Sequence, residues 1–237
     1  MARRPRLSIA GELHYIVQTG HNGQNVFADD ADRSAFLAML RDAAQAQGVA
    51  VHAYALLDNA VHLLAVPAQG EALGRLMQSL GRQYVAAYNR RHARSGSLWA
   101  GRFRCAPIDA SAWGYAAILE IETSPVAAGL IADAASYAWS SAPHHVGRHR
   151  SSLISEHPTY WSIGNTPFER ESVHALKLRE VEPKFDVGSL SMAARQGRPI
   201  GGLAFVRRLE QQAGIQVADR VRRGRPTKLP RKKTVPI

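Results

Sequence analysis

The stretch Asp58-Asn59-Ala60-Val61-His62-Leu63-Leu64 is an apolar strand pattern with a polar entrance and one histidine in its interior. An imidazole held by a strand can ligate a cation or carry a proton, and alternate strand positions share a face. Alone, His62 reads equally well as a half-buried packing residue. A second chemical group is Glu120, which lies on the same side of a helical stretch as Trp113 and Ala117, seven residues covering nearly two turns. A carboxylate sharing a helix side with tryptophan suits a side that faces a cleft.

Other candidates for chemistry read as structural. His144, His145, His149 and His157 lie in a stretch rich in Ser, Pro and Gly, with no helical or strand spacing to align them, and are expected to be solvated loop side chains rather than ligands. Tyr84 fits the buried stripe of its helix, and Tyr88 belongs to that same helix. Tyr115 stands five residues before Glu120, about 140° around the helix, and should face elsewhere. The single Cys105 excludes an internal disulfide and any cysteine-cluster metal site.

Charge points to the partner. The net charge of +11 and a pI near 10.4 favour a polyanion, nucleic acid or an anionic membrane surface. Arg75 and Arg82 share an exposed helix face, and Arg90, Arg91, His92 and Arg94 close that helix, where cations also suit the dipole. In Leu98-Trp99-Ala100-Gly101-Arg102-Phe103-Arg104, arginines and aromatics interleave as they do where bases stack and phosphates are contacted, with Trp99 also fitting a core. The segment from Arg220 to Lys233 is basic without an acid, and Arg222, Arg223, Gly224, Arg225, Pro226 and Lys228 resemble an AT-hook or a nonspecific polycation. No run of 18 apolar residues and no signal peptide is found, so a cytoplasmic, nucleoid-associated location is expected.

The elements follow in order. His14 to Gln18 reads as a strand at the edge of the sheet, and Asp29, Asp30 and Asp32 cap a helix carrying Phe36, Leu37, Leu40 and Ala44 until Gly48. Strands from Val49 and from Ala60 to Val66 flank the break at Asp58-Asn59. A long helix runs from about Glu71 to Arg91, and another from about Ser111 to Thr123, ended by Pro125. Short helical patterns cover Pro167 to Leu178 and Leu203 to Ala213. The pattern predicts an α+β fold with antiparallel pairing, divided at 1–150 for the main domain, 151–215 for a helical appendage and 216–237 for a basic tail.

Tyr15 to Gly20, Asn59 to Leu64, Leu76 to Arg91, Leu98 to Phe103, Ser124 to Leu130 and Tyr137 to Ser141 form successive blocks. Over about residues 6–165 the chain resembles the REP-associated tyrosine transposases, single-tyrosine enzymes of the HUH type. That resemblance implies an RRM- or ferredoxin-like βαββαβ core, binding of palindromic repeats as single-stranded hairpins, and strand cleavage through a 5′-phosphotyrosine. It implies a Mg²⁺ or Mn²⁺ ion held by two strand histidines and a polar amide one helical turn after the tyrosine.

The catalytic positions depart from that pattern. The family's Asn-His-Val-His-Leu-Leu is Asn59-Ala60-Val61-His62-Leu63-Leu64 here, and Tyr-Ile-X-X-Asn-Pro-Val is Glu120-Ile121-Glu122-Thr123-Ser124-Pro125-Val126. A ligand, the nucleophile and the amide are replaced at Ala60, Glu120 and Ser124, and the common Arg-Gly after the first strand is Thr19-Gly20. The resemblance therefore implies a DNA-binding protein without a cleavage centre and with no cofactor, a regulator or nucleoid factor acting as monomer or homodimer. Its DNA contacts are expected from Arg75, Arg82, Arg90, Arg91, Arg94, Trp99, Arg102, Phe103, Arg104 and the tail. The alternatives are a Mg²⁺- or Mn²⁺-dependent nuclease using His62 and Glu120, and an RNA-binding module.

Overall fold

The computed structural model describes residues 7–180 and 187–214. Four strands, β1 (Leu13–Thr19), β2 (Val49–Leu57), β3 (Ala60–Pro67) and β4 (Arg104–Ile108), form one antiparallel sheet in the order β2-β3-β1-β4. Helices α1 (Asp30–Gln47) and α2 (Ala72–Arg91) connect them, and α3 (Ala110–Ala127) follows β4, which gives the βαββαβ order of the expected α+β class. Further α-helices complete the described chain: α4 (Ala142–His145), α5 (Pro158–Trp161), α6 (Pro167–Glu180), α7 (Val187–Gln196) and α8 (Leu203–Ala213).

Local chemistry sets the element ends. Asp29 accepts a hydrogen bond from the Asp32 amide at 3.0 Å as the α1 cap, and Gly48 ends that helix at φ 62°, a left-handed conformation suited to glycine. Asp58 and Asn59 make the tight connection between β2 and β3, with Leu57 opposite Ala60. The Asp58 carboxylate is held by Arg33 at 2.5 Å.

Alternation sorts the strand residues between two cores. Ile16, Tyr54, Leu56, Val61 and Leu63 pack toward α1 and α2, where Phe27, Phe36, Tyr84 and Trp99 form an aromatic cluster. Tyr15, Val17, Ala53, Ala55 and Leu64 face the other way, against Ala117, Ile118 and Ile121 of α3 and Leu190 and Ala194 of α7. His62 alternates with Leu63 and so shares this second face.

Two expectations are corrected. The strand around His14 to Gln18 is central rather than an edge, because β1 pairs with β3 on one side and β4 on the other. The helix expected to stop before Pro125 continues to Ala127. Proline removes the amide that would have bonded the Ile121 carbonyl. The Ser124 hydroxyl donates to that carbonyl instead, at 2.6 Å, so the helix passes the proline with the acceptor satisfied.

Both sheet edges are covered. Residues 137–155 run along β2, with the Leu56 amide donating to Trp139 O at 2.9 Å and the Ser155 amide to Val51 O at 2.9 Å. Beside β4, the Ile200 amide donates to Pro107 O at 2.9 Å, and the Asp109 amide to Ile200 O at 2.8 Å. Edges bonded in this way offer little open ladder to another chain.

Candidate functional site

The face of the sheet below α3 contains the positions singled out in the sequence. Ala60, His62, Glu120 and Ser124 are all buried, at 6%, 6%, 5% and 2% exposure. His62 Nδ1 and the Tyr15 hydroxyl share a hydrogen bond of 2.6 Å, and that hydroxyl lies 3.1 Å from Ser191 Oγ on α7. Burial depresses the His62 pKa to about 4, with the charge of Arg195 adding to the shift, so the imidazole is neutral near pH 7. Burial also pushes the Tyr15 phenol well above its ordinary value, reinforced by the nearby Glu120 carboxylate.

These residues do not fit a two-histidine cation site. Ala60 supplies no ligand atom, one ring nitrogen of His62 is committed to Tyr15, and the Ser124 hydroxyl is turned back to the Ile121 carbonyl. Helix α7 lies over the same face, with Leu190 and Ala194 buried at 4% and 2% exposure. The side of α3 carrying Glu120 is therefore covered rather than open to a cleft. Tyr115 does face elsewhere, toward His174 of α6, and Tyr84 is in the core, donating to Val26 O at 2.6 Å.

The expected DNA-contact residues divide into two sets. Arg75, Arg82, Arg90, Arg91, Arg94, Arg102 and Arg104 are all exposed. From Arg75 to Arg91 they follow α2 for about 24 Å at 1.5 Å per residue, Arg94 and Arg102 stand in the connection to β4, and Arg104 opens β4. Arg75 is held by Glu71, Gln47 and Gln69, and Arg91 by Asp29 and Asp32. Arg94 donates to Gln24 Oε1 at 3.1 Å and stands over the Tyr88 ring. Arg82, Arg90, Arg102 and Arg104 have no ion-pair partner among the described residues.

Trp99 and Phe103 are in the core at 7% and 6% exposure, so neither ring offers a face to a base. Trp99 instead approaches the Phe36 and Tyr84 rings at 6.4 and 6.1 Å. The loop around it is tied to the end of β1, with the Ala100 amide donating to Thr19 O at 2.9 Å and the His21 amide to Leu98 O at 3.0 Å. Gly20 is required at that junction, since a Cβ there would lie 2.0 Å from Gln24 O. Arg222, Arg223, Arg225 and Lys228 lie outside the described residues.

One group escapes a reading of the sequence. His144 and His145 are buried at 7% and 0%, not solvated, because residues 137–155 fold back along β2. His149 is exposed as expected, and His157 caps α5, its Nδ1 accepting from the Thr159 amide at 3.2 Å. His145 Nδ1 donates to Glu122 Oε1 and His174 Nε2 to Glu122 Oε2, each at 2.6 Å, and the Ser141 hydroxyl donates to Glu122 Oε1 at 2.5 Å. Burial works to raise the Glu122 pKa, but the two imidazoles outweigh it and hold the carboxyl far below the ordinary range. The partners stand 23 and 52 residues away in sequence, with no local spacing to announce them.

No family model matches the chain, and no curated protein does. Among solved structures, the chain is similar to a REP-associated tyrosine transposase bound to a REP hairpin, with a TM-score of 0.54 at 13% identity over 66% of this chain and 99% of that one. At that identity the likeness establishes a shared fold. A protein of Deinococcus radiodurans crystallised as a candidate transposase aligns at a TM-score of 0.35 and 16% identity, over 48% of this chain and 93% of that one. Among the described residues, no helix is long and apolar enough to cross a membrane.

Proposed function

We propose that this chain is a DNA-binding protein built on the REP-associated transposase scaffold and without a strand-cleavage centre, acting as a regulator or nucleoid-associated factor. The observation that carries the reading is the pairing of two features. Arg82, Arg90, Arg102 and Arg104 are exposed without ion-pair partners among the described residues, while the nucleophile and ligand positions hold Glu120, Ala60 and Ser124.

A DNA hairpin or an A·T-rich duplex is the ligand class in view. The solved transposase of the same fold carries a REP hairpin, and the basic arginine strip is suited to the phosphate backbone of either. With Trp99 and Phe103 in the core, affinity comes from phosphate contacts rather than stacking, and should fall steeply with salt. Fluorescence anisotropy with a labelled palindromic hairpin, a duplex and an RNA of identical sequence, across a salt series, tests the proposal. Selective, salt-dependent binding to DNA supports it, whereas preference for the RNA or no binding to any of the three defeats it.

A further inference from the structure

The geometry points to a closed structural Zn²⁺ site formed by Glu122 of α3, His145 of α4 and His174 of α6. It is separate from the face beneath α7 and does not depend on the DNA-binding proposal. All three side chains have 0% exposure, and their ligand atoms lie within 4.8 Å of one another. They come from three different helices, so their convergence is a product of the tertiary fold.

The donor set suits zinc. Two borderline imidazole nitrogens beside a carboxylate favour Zn²⁺ over the hard cations Mg²⁺ and Ca²⁺, and Ser141 Oγ, 2.5 Å from Glu122 Oε1, is a fourth polar group at the site. Supporting contacts are also in place. His174 Nδ1, the nitrogen turned away from the carboxylate, is 3.0 Å from the Tyr115 hydroxyl, the kind of outer partner that fixes the tautomer and orientation of a ligating histidine. His145 is backed by Tyr160, whose ring lies 4.6 Å away and whose hydroxyl donates to His145 O at 2.6 Å.

Binding the ion requires both hydrogen-bonded pairs to open. With metal bonds of about 2.1 Å, two ligands at the tetrahedral angle of about 109° stand about 3.4 Å apart. The two histidine–carboxylate separations are 2.6 Å, so each opens by about 0.8 Å to admit the ion between carboxylate and rings. His145 Nε2 has no hydrogen-bond partner although it is buried. The ring is held through Nδ1 alone, and coordination would use that same nitrogen. Full enclosure assigns the ion a structural role, entering as the chain folds, and it would pin residues 137–180 to α3.

Metal analysis of the full chain, expressed in zinc-supplemented medium and purified by gel filtration, tests the site. The expected result is close to one zinc per chain, a melting temperature that falls on treatment with a strong chelator, and recovery on adding Zn²⁺ back. Glu122→Gln keeps the volume and a hydrogen-bonding carbonyl, so it should fold by circular dichroism yet hold less than a tenth of the zinc. His149→Ala, at an exposed position, should retain the full content. Wild-type protein with less than a tenth of a zinc per chain, and a melting temperature unmoved by chelator or by Zn²⁺, overturns the proposal and leaves a proton-only network. If the Glu122→Gln protein fails to fold, the wild-type metal content and chelation response alone decide.

Discussion

Acid should destabilise this protein well before its carboxylates titrate, through histidines that the fold holds neutral. His14 is fully buried between two backbone groups: its Nδ1 donates to Glu12 O at 2.7 Å and its Nε2 accepts from the Ile9 amide at 3.2 Å. A second ring proton would face that amide hydrogen directly. His52 donates from Nδ1 to Ser155 O at 2.6 Å and is buried at 5% exposure. Burial lowers both pKa values to about 4, from 6.5.

Proton uptake sets the sign. Between those two values the unfolded chain binds more protons than the native one, so stability is fully present above pH 6.5 and is lost as pH falls toward 4. At pH 5 each histidine accounts for about 2 kcal/mol, and the pair for about 4 kcal/mol, relative to pH 7.5. Urea unfolding at pH 7.5 and pH 5.0 measures the difference. His14→Gln removes one titrating group, and its own difference between the two pH values should shrink by about 2 kcal/mol. Equal stability at both pH values, or an undiminished difference in His14→Gln, refutes the reasoning.

Three further outcomes can be checked independently. Ser124→Ala should lower stability by about 1 kcal/mol in urea, because the Ile121 carbonyl beneath Pro125 loses its donor; no loss would mean that this carbonyl finds another partner. Gly20→Ala should cost about 1–3 kcal/mol in melting experiments, since its new methyl meets a backbone carbonyl that cannot rotate away. Arg82→Ala, Arg90→Ala, Arg102→Ala and Arg104→Ala should each flatten the salt dependence of DNA binding, by about 0.7 to 0.9 in the log–log slope for each phosphate left without its arginine. An unchanged slope in all four would move the interface elsewhere.

Much of the fold can be read from local chemistry. The Asp29 cap, the Gly48 stop and the two-residue break at Asp58-Asn59 each depend on residues adjacent in sequence, and the structure places each where expected. The central position of β1 is hidden, because His14 meets Ala65 of β3 on one side and Pro107 of β4 on the other, and both partners are distant in sequence. Pro125 misleads for a different reason. A proline rule describes the missing amide but not the serine hydroxyl beside it that replaces the bond.

The candidate site is legible in part. Alternation and helical spacing locate Ala60, His62 and Glu120 on the correct strand and helix, but nothing local predicts that α7 covers them or that Ser191 reaches Tyr15. Trp99 can be read as core or as a stacking platform, and packing against Phe36 and Tyr84 favours the core. The grouping of Glu122 with its histidines is not legible, and His145 is misread as solvated, since its burial depends on a carboxylate 23 residues away.

The proposed function is tested most directly by incubating the full chain with a 5′- and 3′-labelled palindromic hairpin, with and without Mn²⁺, and resolving bound, cleaved and covalently attached DNA in one experiment. A DNA-binding protein without a cleavage centre gives a salt-sensitive complex with intact DNA and no protein–DNA adduct under either condition. A Mn²⁺-dependent nick or a covalent adduct, or the absence of any complex at low salt, would contradict it.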